Sequence, residues 1–141
     1  MVFENPSRDH IKELMAGAGN IAVVGLSDNP DRTSHMVSAA MQKRGYRIIP
    51  VNPNATEILG EKSYASLSDI PDPIDIVNVF RRADQVVPIA KEAVKIKAKV
   101  FWLQLDIVNE EAAHIAEEAG LVVIMDRCIK VEDAILNPRN N

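Results

Sequence analysis

The chain has 141 residues, of which 47% are hydrophobic and 26% are charged, and its formal net charge is −4. This length supports one domain over residues 1–141, because two domains would each have too little buried surface. The acidic balance argues against a general nucleic-acid binder, and the single cysteine excludes an intramolecular disulfide and favours a reducing compartment.

Short apolar runs, rich in β-branched or aromatic residues, predict five strands buried on both faces. In chain order they are residues 21–25, 47–51, 74–80, 99–103 and 121–125. Helical patterns separate most of these strands. The first is residues 7–18, capped by Ser7 within an N-terminal helical segment 1–19, and the second is residues 33–44, ended by Gly45. The third is residues 84–97, and the fourth is residues 109–120, capped by Asn109 and ended by Gly120. The third helix should begin close to Pro88, because proline is tolerated only in the first turn.

The second crossover, residues 52–73, is the irregular one. Its three prolines and Gly60 leave room for at most a short helix around residues 66–69, and the tail 137–141 is predicted to be frayed. The alternation of strands and helices predicts an α/β, Rossmann-like three-layer fold with a five-stranded parallel sheet. We favour the strand order 3-2-1-4-5, with 2-1-3-4-5 as the second choice. In either order, a ligand should bind at the carboxyl ends of the strands.

The loop after the first strand has the composition of an anion-binding loop. Gly25 permits a close backbone approach, and the following helix begins near Thr33, where free N–H groups favour negative charge. Ser27 and Ser34 could add hydroxyl groups, as could Thr33, and Arg32 could add a fork of charged donors. In the alternative interpretation the hydroxyl groups only cap the helix and Arg32 is solvated.

Two absences argue against a dinucleotide site. The loop has one glycine rather than the G-x-G-x-x-G pattern, and the second strand ends in Asn52 and Pro53 rather than in an acidic residue that could hold a ribose diol. The chain also lacks the G-x-x-x-x-G-K-[ST] pattern of a P-loop.

The remaining strand ends also carry polar side chains, which suit an anionic ligand with a planar part. Phe80 offers an apolar wall for a ring, and the two arginines after it could face the anion, or one of them could pair with Asp84 or Asp106. The strand-end candidates are, in chain order, Phe80, Arg81, Arg82, Gln104, Asp106, Asp126 and Arg127.

The sequence contains no convincing catalytic or metal-binding group. His10 is predicted at the surface and His114 at the surface or partly buried, and His35 lies close enough to the first loop to touch a ligand. Cys128 has no histidine nearby in sequence to act as its base, so a buried structural thiol is favoured. No grouping of His, Cys, Asp and Glu has metal-ligand spacing.

Two blocks together, residues 21–27 and 29–34, resemble the small bacterial CoA-binding proteins, whose domain is similar to the N-terminal part of the succinyl-CoA synthetase α subunit. Further blocks of this resemblance are residues 45–53, 57–61, 79–82, 102–104 and 126–128, so that it covers nearly the whole chain. Two positions depart from the family pattern. They are His35, where tyrosine is expected, and Asp106, where glycine is expected.

The resemblance implies a Rossmann-like fold that binds the nucleotide half of CoA at the strand ends. The implied contacts are Gly25, Ser27 and Arg32 with the phosphates, Asn52 and Pro53 beside the adenosine, Phe80 and Arg81 at the third strand end, and Gln104 near the fourth. Thr33 and Ser34 complete the predicted site.

The sequence thus predicts a binding protein for CoA or acyl-CoA with no catalysis of its own. The alternatives are an NAD(H)-binding redox or regulatory module and a partner or remnant of an acyl-CoA ligase. We expect a cytoplasmic protein without nucleic-acid partners, and self-association stays open. No membrane association is expected either, because no apolar run approaches the ~20 residues of a membrane span and no basic and apolar leader opens the chain.

Overall fold

A computed structural model of the protein describes residues 3–137. Five parallel strands form the main sheet: β1 (Asn20–Val24), β2 (Arg47–Val51), β5 (Ile76–Val79), β6 (Val100–Leu103) and β7 (Val122–Ile124). Two-residue strands, β3 (Glu57–Ile58) and β4 (Glu61–Lys62), form a small hairpin after β2. The helices are α1 (Arg8–Gly17), α2 (Thr33–Lys43), α3 (Val86–Lys95), α4 (Glu110–Glu118) and α5 (Ile129–Leu136). The α/β class with a five-stranded parallel sheet is therefore confirmed.

The order of the strands corrects our first choice. The sheet runs β2-β1-β5-β6-β7, which is 2-1-3-4-5 when its strands are counted along the chain, so the order 3-2-1-4-5 was wrong. The crossover itself occupies the edge of β2 where a third strand would have paired. Tyr64 bridges Val51 there, since its N–H donates to the Pro50 oxygen at 3.0 Å and its oxygen accepts from Asn52 N–H at 2.9 Å. The next strand of the sheet, β5, pairs with the other side of β1.

The sheet is buried on both faces, as the continuous apolar runs predicted. Along β1, Ile21 and Val23 join the cluster formed with α1, α2 and α5, whereas Ala22 and Val24 join the cluster formed with α3 and α4. Side chains that alternate along a strand point to opposite faces, so each layer of helices has its own half of the core. Within residues 3–137, no helix is long and apolar enough to cross a membrane.

The helix boundaries follow the predicted caps. The Ser7 side chain accepts from His10 N–H at the start of α1, and the Asn109 side chain accepts from Ala112 N–H at the start of α4. Pro88 is the third residue of α3, inside the first turn as expected. The irregular crossover contains one short 3-10 turn, Leu67–Asp69, in agreement with the helix predicted around residues 66–69.

Sequence reasoning missed α5, because acidic residues occupy its buried face. Glu132 is 3% exposed and Asp133 is fully buried, which hides the apolar stripe of a packed helix. Asp133 is bound by the Arg44 guanidinium and accepts a 2.7 Å hydrogen bond from the Tyr46 hydroxyl. Of the tail predicted to be frayed, residues 138–141 lie outside the described residues, and Asn137 N–H donates to the Asp133 oxygen at 2.8 Å.

Candidate functional site

The strand order places a crevice between the ends of β1 and β5. The chain leaves β1 toward β2 on one side and returns to β5 on the other, so the loops after these strands diverge. Such a switch point is where open parallel sheets bind ligands. Gly25, directly after β1, forms its floor with a φ of +86°, and a Cβ there would collide with the Phe80 carbonyl oxygen and lie 3.3 Å from Arg81 Nε. Only glycine allows the two strand ends to approach this closely.

A cleft of 540 Å³ opens on the β1 side of this floor. Its backbone is favourable to an anion, because no side chain caps the start of α2. The Thr33 and Ser34 N–H groups have no hydrogen-bond acceptor in the described part of the chain, and neither does the exposed Arg32 guanidinium. The first cleft is lined by Gly25, Ser27, Asp31, Arg32, Thr33, Ser34 and Phe80.

Two side chains of α2 hold the loop of the first cleft in place. Ser27 N–H donates to Ser34 Oγ at 3.0 Å, and His35 Nδ1 lies 2.9 Å from the Ser27 carbonyl oxygen. Because that oxygen can only accept, the hydrogen-bonded His35 nitrogen carries the proton. Ser34 therefore braces the loop instead of capping its own helix, and His35 does the same from the next position.

A second cleft of 530 Å³ adjoins the first on the side of β5 and β6, and the two clefts share Thr33 and Phe80. Its lining combines cationic and apolar groups, and sequence reasoning did not foresee the contribution of two apolar loop residues, Leu105 and Ile107. The feature of the sequence that could have identified them is their position shortly after the end of the fourth predicted strand, residues 99–103. The second cleft is lined by Thr33, Phe80, Arg81, Arg82, Gln104, Leu105, Asp106 and Ile107.

The two neighbouring arginines of the second cleft differ in their partners. The Arg82 Nη2 atom lies 3.0 Å from Asp84 Oδ2, and this hydrogen bond lowers the pKa of Asp84 and raises that of Arg82. Arg81 is half-buried, and among residues 3–137 no acceptor or carboxylate engages its guanidinium. Pairing with Asp84, one of the two predicted alternatives, therefore holds for Arg82 alone.

Gln104 is the most deeply buried polar side chain of the second cleft, at 4% exposed. Its Oε1 atom accepts from Ile129 N–H at 3.0 Å, at the start of α5. This contact fixes the orientation of the amide, so that Nε2 remains as a donor with no acceptor in the described chain. Asp106 keeps the turn in the left-handed conformation, with a φ of +69°, and its N–H donates to Asp126 Oδ1 at 2.7 Å. An aspartate is thus tolerated where the family resemblance leads one to expect glycine.

Three predicted strand-end residues lie elsewhere or have local partners. Neither Asn52 nor Pro53 lines the first or the second cleft. The Asn52 side chain donates to the Leu26 oxygen at 3.0 Å and accepts from Asn54 N–H at 2.8 Å, so it ties the end of β2 to the loop after β1. The Arg127 guanidinium donates to the backbone oxygen of Asp126 at 3.2 Å.

The residues considered for other chemistry lie outside both clefts. His10 and His114 are exposed, and His114 lies 3.2 Å from Glu118. Cys128 is a free thiol that is half-buried against the core rather than fully buried. Across residues 3–137, no group of three His, Cys, Asp or Glu side chains could hold a metal ion.

Comparison with known proteins finds relatives of this chain and a solved structure with a similar fold. The uncharacterized protein YneT of Bacillus subtilis is 57% identical over 133 residues, which cover 94% of this chain and 98% of YneT. A solved structure described as a hypothetical protein from Pyrococcus horikoshii has a TM-score of 0.90 and 36% identity, with 96% of this chain and 99% of that chain covered. The ADP-forming acetate–CoA ligase II of Archaeoglobus fulgidus is 37% identical over 59 residues, which are 40% of this chain but only 9% of the ligase.

The match to a protein-family model is broader than the match to the ligase. A model described as a CoA binding domain matches residues 19–134, which include the whole sheet and both clefts. The chain therefore belongs to the CoA-binding domain family, as the sequence blocks around its strand ends predicted.

Proposed function

We propose that this protein binds CoA or acyl-CoA through its nucleotide moiety at the carboxyl edge of the sheet and catalyses no reaction of its own. The observation that carries the proposal is a pair of guanidinium groups, Arg32 and Arg81, on the two sides of the Gly25 floor. Neither has an acidic partner within the described chain. Guanidinium groups bind phosphates through charge-assisted hydrogen bonds, and CoA carries a pyrophosphate and a 3′-phosphate.

The first cleft suits the phosphates. Its uncapped helix start presents the Thr33 and Ser34 N–H groups beside the Arg32 side chain, which combines backbone donors, the helix dipole and a full positive charge. Phe80, which lines both clefts, supplies an apolar surface for a planar group. Placement of the adenosine near Asn52 and Pro53 rests on the family resemblance, and Asn52 would act there through the loop that it ties down.

Two features favour CoA over a nicotinamide dinucleotide. The loop has one glycine, and β2 is followed by Asn52 instead of a carboxylate that would hold a ribose diol. CoA needs no such carboxylate, because its ribose carries a phosphate, which a carboxylate would repel.

The proposal of a binding protein without catalysis is supported by the lining of the two clefts, in which neither His35 nor Cys128 takes part. The His35 side chain instead holds the loop of the first cleft through the contact of its Nδ1 atom with the Ser27 oxygen. The proposal places the protein in the cytoplasm, with a small-molecule ligand as its partner.

The ligase relative supports a second candidate, a partner of an acyl-CoA ligase, because the matched segment makes up 9% of that enzyme. Incubation of the protein with CoA, a carboxylic acid and a nucleoside triphosphate tests the ligase role. Turnover would favour that role, and an unchanged mixture would exclude a ligase that acts on its own.

Titration calorimetry tests the proposal with CoA, dephospho-CoA and NADH as separate ligands. CoA should bind most tightly, because dephospho-CoA lacks the 3′-phosphate and NADH requires the missing carboxylate. An absence of heat with CoA at millimolar concentration would contradict the proposal, and tighter binding of NADH would favour a dinucleotide module instead.

The variant Arg32→Ala should weaken CoA binding by about 1–3 kcal/mol, which is the range for a hydrogen bond to a charged group. Arg47→Ala is the matched control, because Arg47 is the first residue of β2 and so lies at the amino ends of the strands, away from both clefts. It pairs with Asp72 at 3.0 Å. It removes the same charge and should leave CoA affinity unchanged. Equal losses in both variants would show that only the total charge matters.

A further inference from the structure

The second cleft has an apolar wall that the nucleotide does not explain. Leu105 is 57% exposed although it lines a concave surface, and Ile107 beside it is half-buried. A large aliphatic side chain in this position gains burial only when something covers it. The wall is continuous with Phe80, which the second cleft shares with the first.

The same cleft contains one oriented, uncharged donor. Gln104 is 4% exposed, and its Oε1 atom is already bound to Ile129 N–H, so Nε2 is the part of the amide left for a ligand. An amide donor that is held in one orientation and has no acceptor in the described chain is well placed to bind a ligand carbonyl oxygen.

We propose that the second cleft is an acyl site, so that the protein binds thioesters of CoA with a short, uncharged aliphatic acyl group more tightly than CoA itself. Gln104 Nε2 donates to the thioester carbonyl oxygen, and the chain covers Leu105 and Ile107. This inference rests on the proposed function, which places the phosphates in the first cleft and against the Arg81 guanidinium beside the Gly25 floor, and thereby directs the other end of the ligand across Phe80.

The charges of the second cleft determine which acyl groups are accepted. Arg82 is already bound by Asp84, and Arg81 serves a phosphate under the proposed function. Asp106 then remains as an exposed carboxylate in the lining, next to Leu105. An acyl group that ends in a carboxylate would be repelled there, whereas an uncharged chain would not.

Calorimetric affinities for CoA, acetyl-CoA, propionyl-CoA and butyryl-CoA test the acyl site. Affinity should rise on the order of 2- to 4-fold for each added methylene, which is the value of partial to full burial of that group. S-butyl-CoA, a thioether without the carbonyl, should bind several-fold more weakly than butyryl-CoA. Succinyl-CoA should also bind more weakly than butyryl-CoA.

Three variants locate the effect. Leu105→Ser should abolish the gain per methylene and leave the affinity for CoA unchanged within about twofold. Val131→Ser, a matched control on the exposed face of α5, should change neither quantity. Asp106→Asn, which keeps a residue that tolerates the left-handed turn, should bring succinyl-CoA close to butyryl-CoA.

The outcomes separate the two proposals. If CoA binds and its affinity stays flat along the acyl series, the acyl site is refuted and the proposed function stands. If neither CoA nor butyryl-CoA binds, both fail. Equal affinities for S-butyl-CoA and butyryl-CoA would overturn the Gln104 contact, and equal affinities for succinyl-CoA and butyryl-CoA in the wild-type protein would overturn the role of Asp106.

Discussion

Substitution of Gly25 by alanine tests the geometry on which the candidate site depends. The residue has a φ of +86°, and a Cβ atom there would strike the Phe80 carbonyl oxygen and lie 3.1 Å from its carbon. Backbone atoms at the end of a central strand cannot rotate away as a flexible side chain can. The ends of β1 and β5 would therefore have to separate at the floor of the crevice.

The expected loss of unfolding free energy combines three contributions. An alanine at positive φ costs about 1–2 kcal/mol, and forcing extra volume into a packed region costs about 1–3 kcal/mol. Reduced freedom of the unfolded chain returns about 0.4–1 kcal/mol, so the net destabilisation should be about 2–4 kcal/mol. The matched control is Gly120→Ala, because Gly120 has a φ of +92° and no atom would lie within 4 Å of its Cβ. It carries the backbone strain without the collision.

Urea denaturation of both variants measures the difference in their unfolding free energies, which should be about 1–3 kcal/mol. In a chain of this size the melting temperature of Gly25→Ala should lie roughly 4–12 °C below that of Gly120→Ala. CoA affinity should fall at least tenfold for Gly25→Ala and stay constant for Gly120→Ala. If the two variants have equal stability and equal CoA affinity, the close approach of the strand ends is not what requires glycine.

Two further predictions concern one fully buried carboxylate, Asp133, and one half-buried carboxylate, Asp75. Tyr46→Phe removes the 2.7 Å hydrogen bond to the fully buried Asp133, and urea denaturation should show a loss of about 1–3 kcal/mol, whereas an unchanged midpoint would mean that Asp133 does not depend on it. Partial burial alone would raise the pKa of Asp75, but two backbone N–H donors at the start of β1 and the Lys99 ammonium outweigh it and hold the pKa below 3.8. Because the folded-state pKa is lowered, this carboxylate stabilises the fold fully above its unfolded pKa of 3.8 and loses that effect as the pH falls through the folded value. Asp75→Ala should therefore cost about 1–2 kcal/mol at neutral pH, and the gap to the wild-type protein should narrow below about pH 4; a gap that does not change with pH would contradict the assignment.

The strands were predictable because burial on both faces leaves an unbroken apolar run in the sequence. Residues 47–51 coincide with β2, and the other four runs contain their strands to within a residue or two. The caps Ser7 and Asn109 were equally legible, because capping is a local interaction between a side chain and an N–H group three residues away.

The strand order and α5 were not predictable from local pattern. Both candidate orders use the same strands and helices, and they differ in what lies beside β2, where Tyr64 pairs from within an irregular crossover. Helix α5 is hidden because Asp133 is neutralised by Arg44, which lies 89 residues earlier in the chain. Neither contact leaves a periodic signal in the sequence.

In the candidate site, the sequence identified the arginines but could not separate them. Arg81 and Arg82 are neighbours at the same strand end, yet only Arg82 reaches Asp84. Gln104 was predicted as a lining residue, but its function as an oriented donor depends on Ile129, which belongs to the helix that was missed.

The distribution of ion pairs resolves an apparent conflict between an acidic chain and an anionic ligand. The net charge is −4, but the carboxylates form ion pairs with some arginines and not with others. Arg44, Arg47 and Arg82 each have a carboxylate partner, whereas Arg32 and Arg81 have none in the described chain. A cation that already faces a carboxylate gains little from a phosphate, and an unpaired one in a concave site gains much more. The ligand is therefore indicated by which arginines lack partners and by where they lie, a property that the total charge conceals.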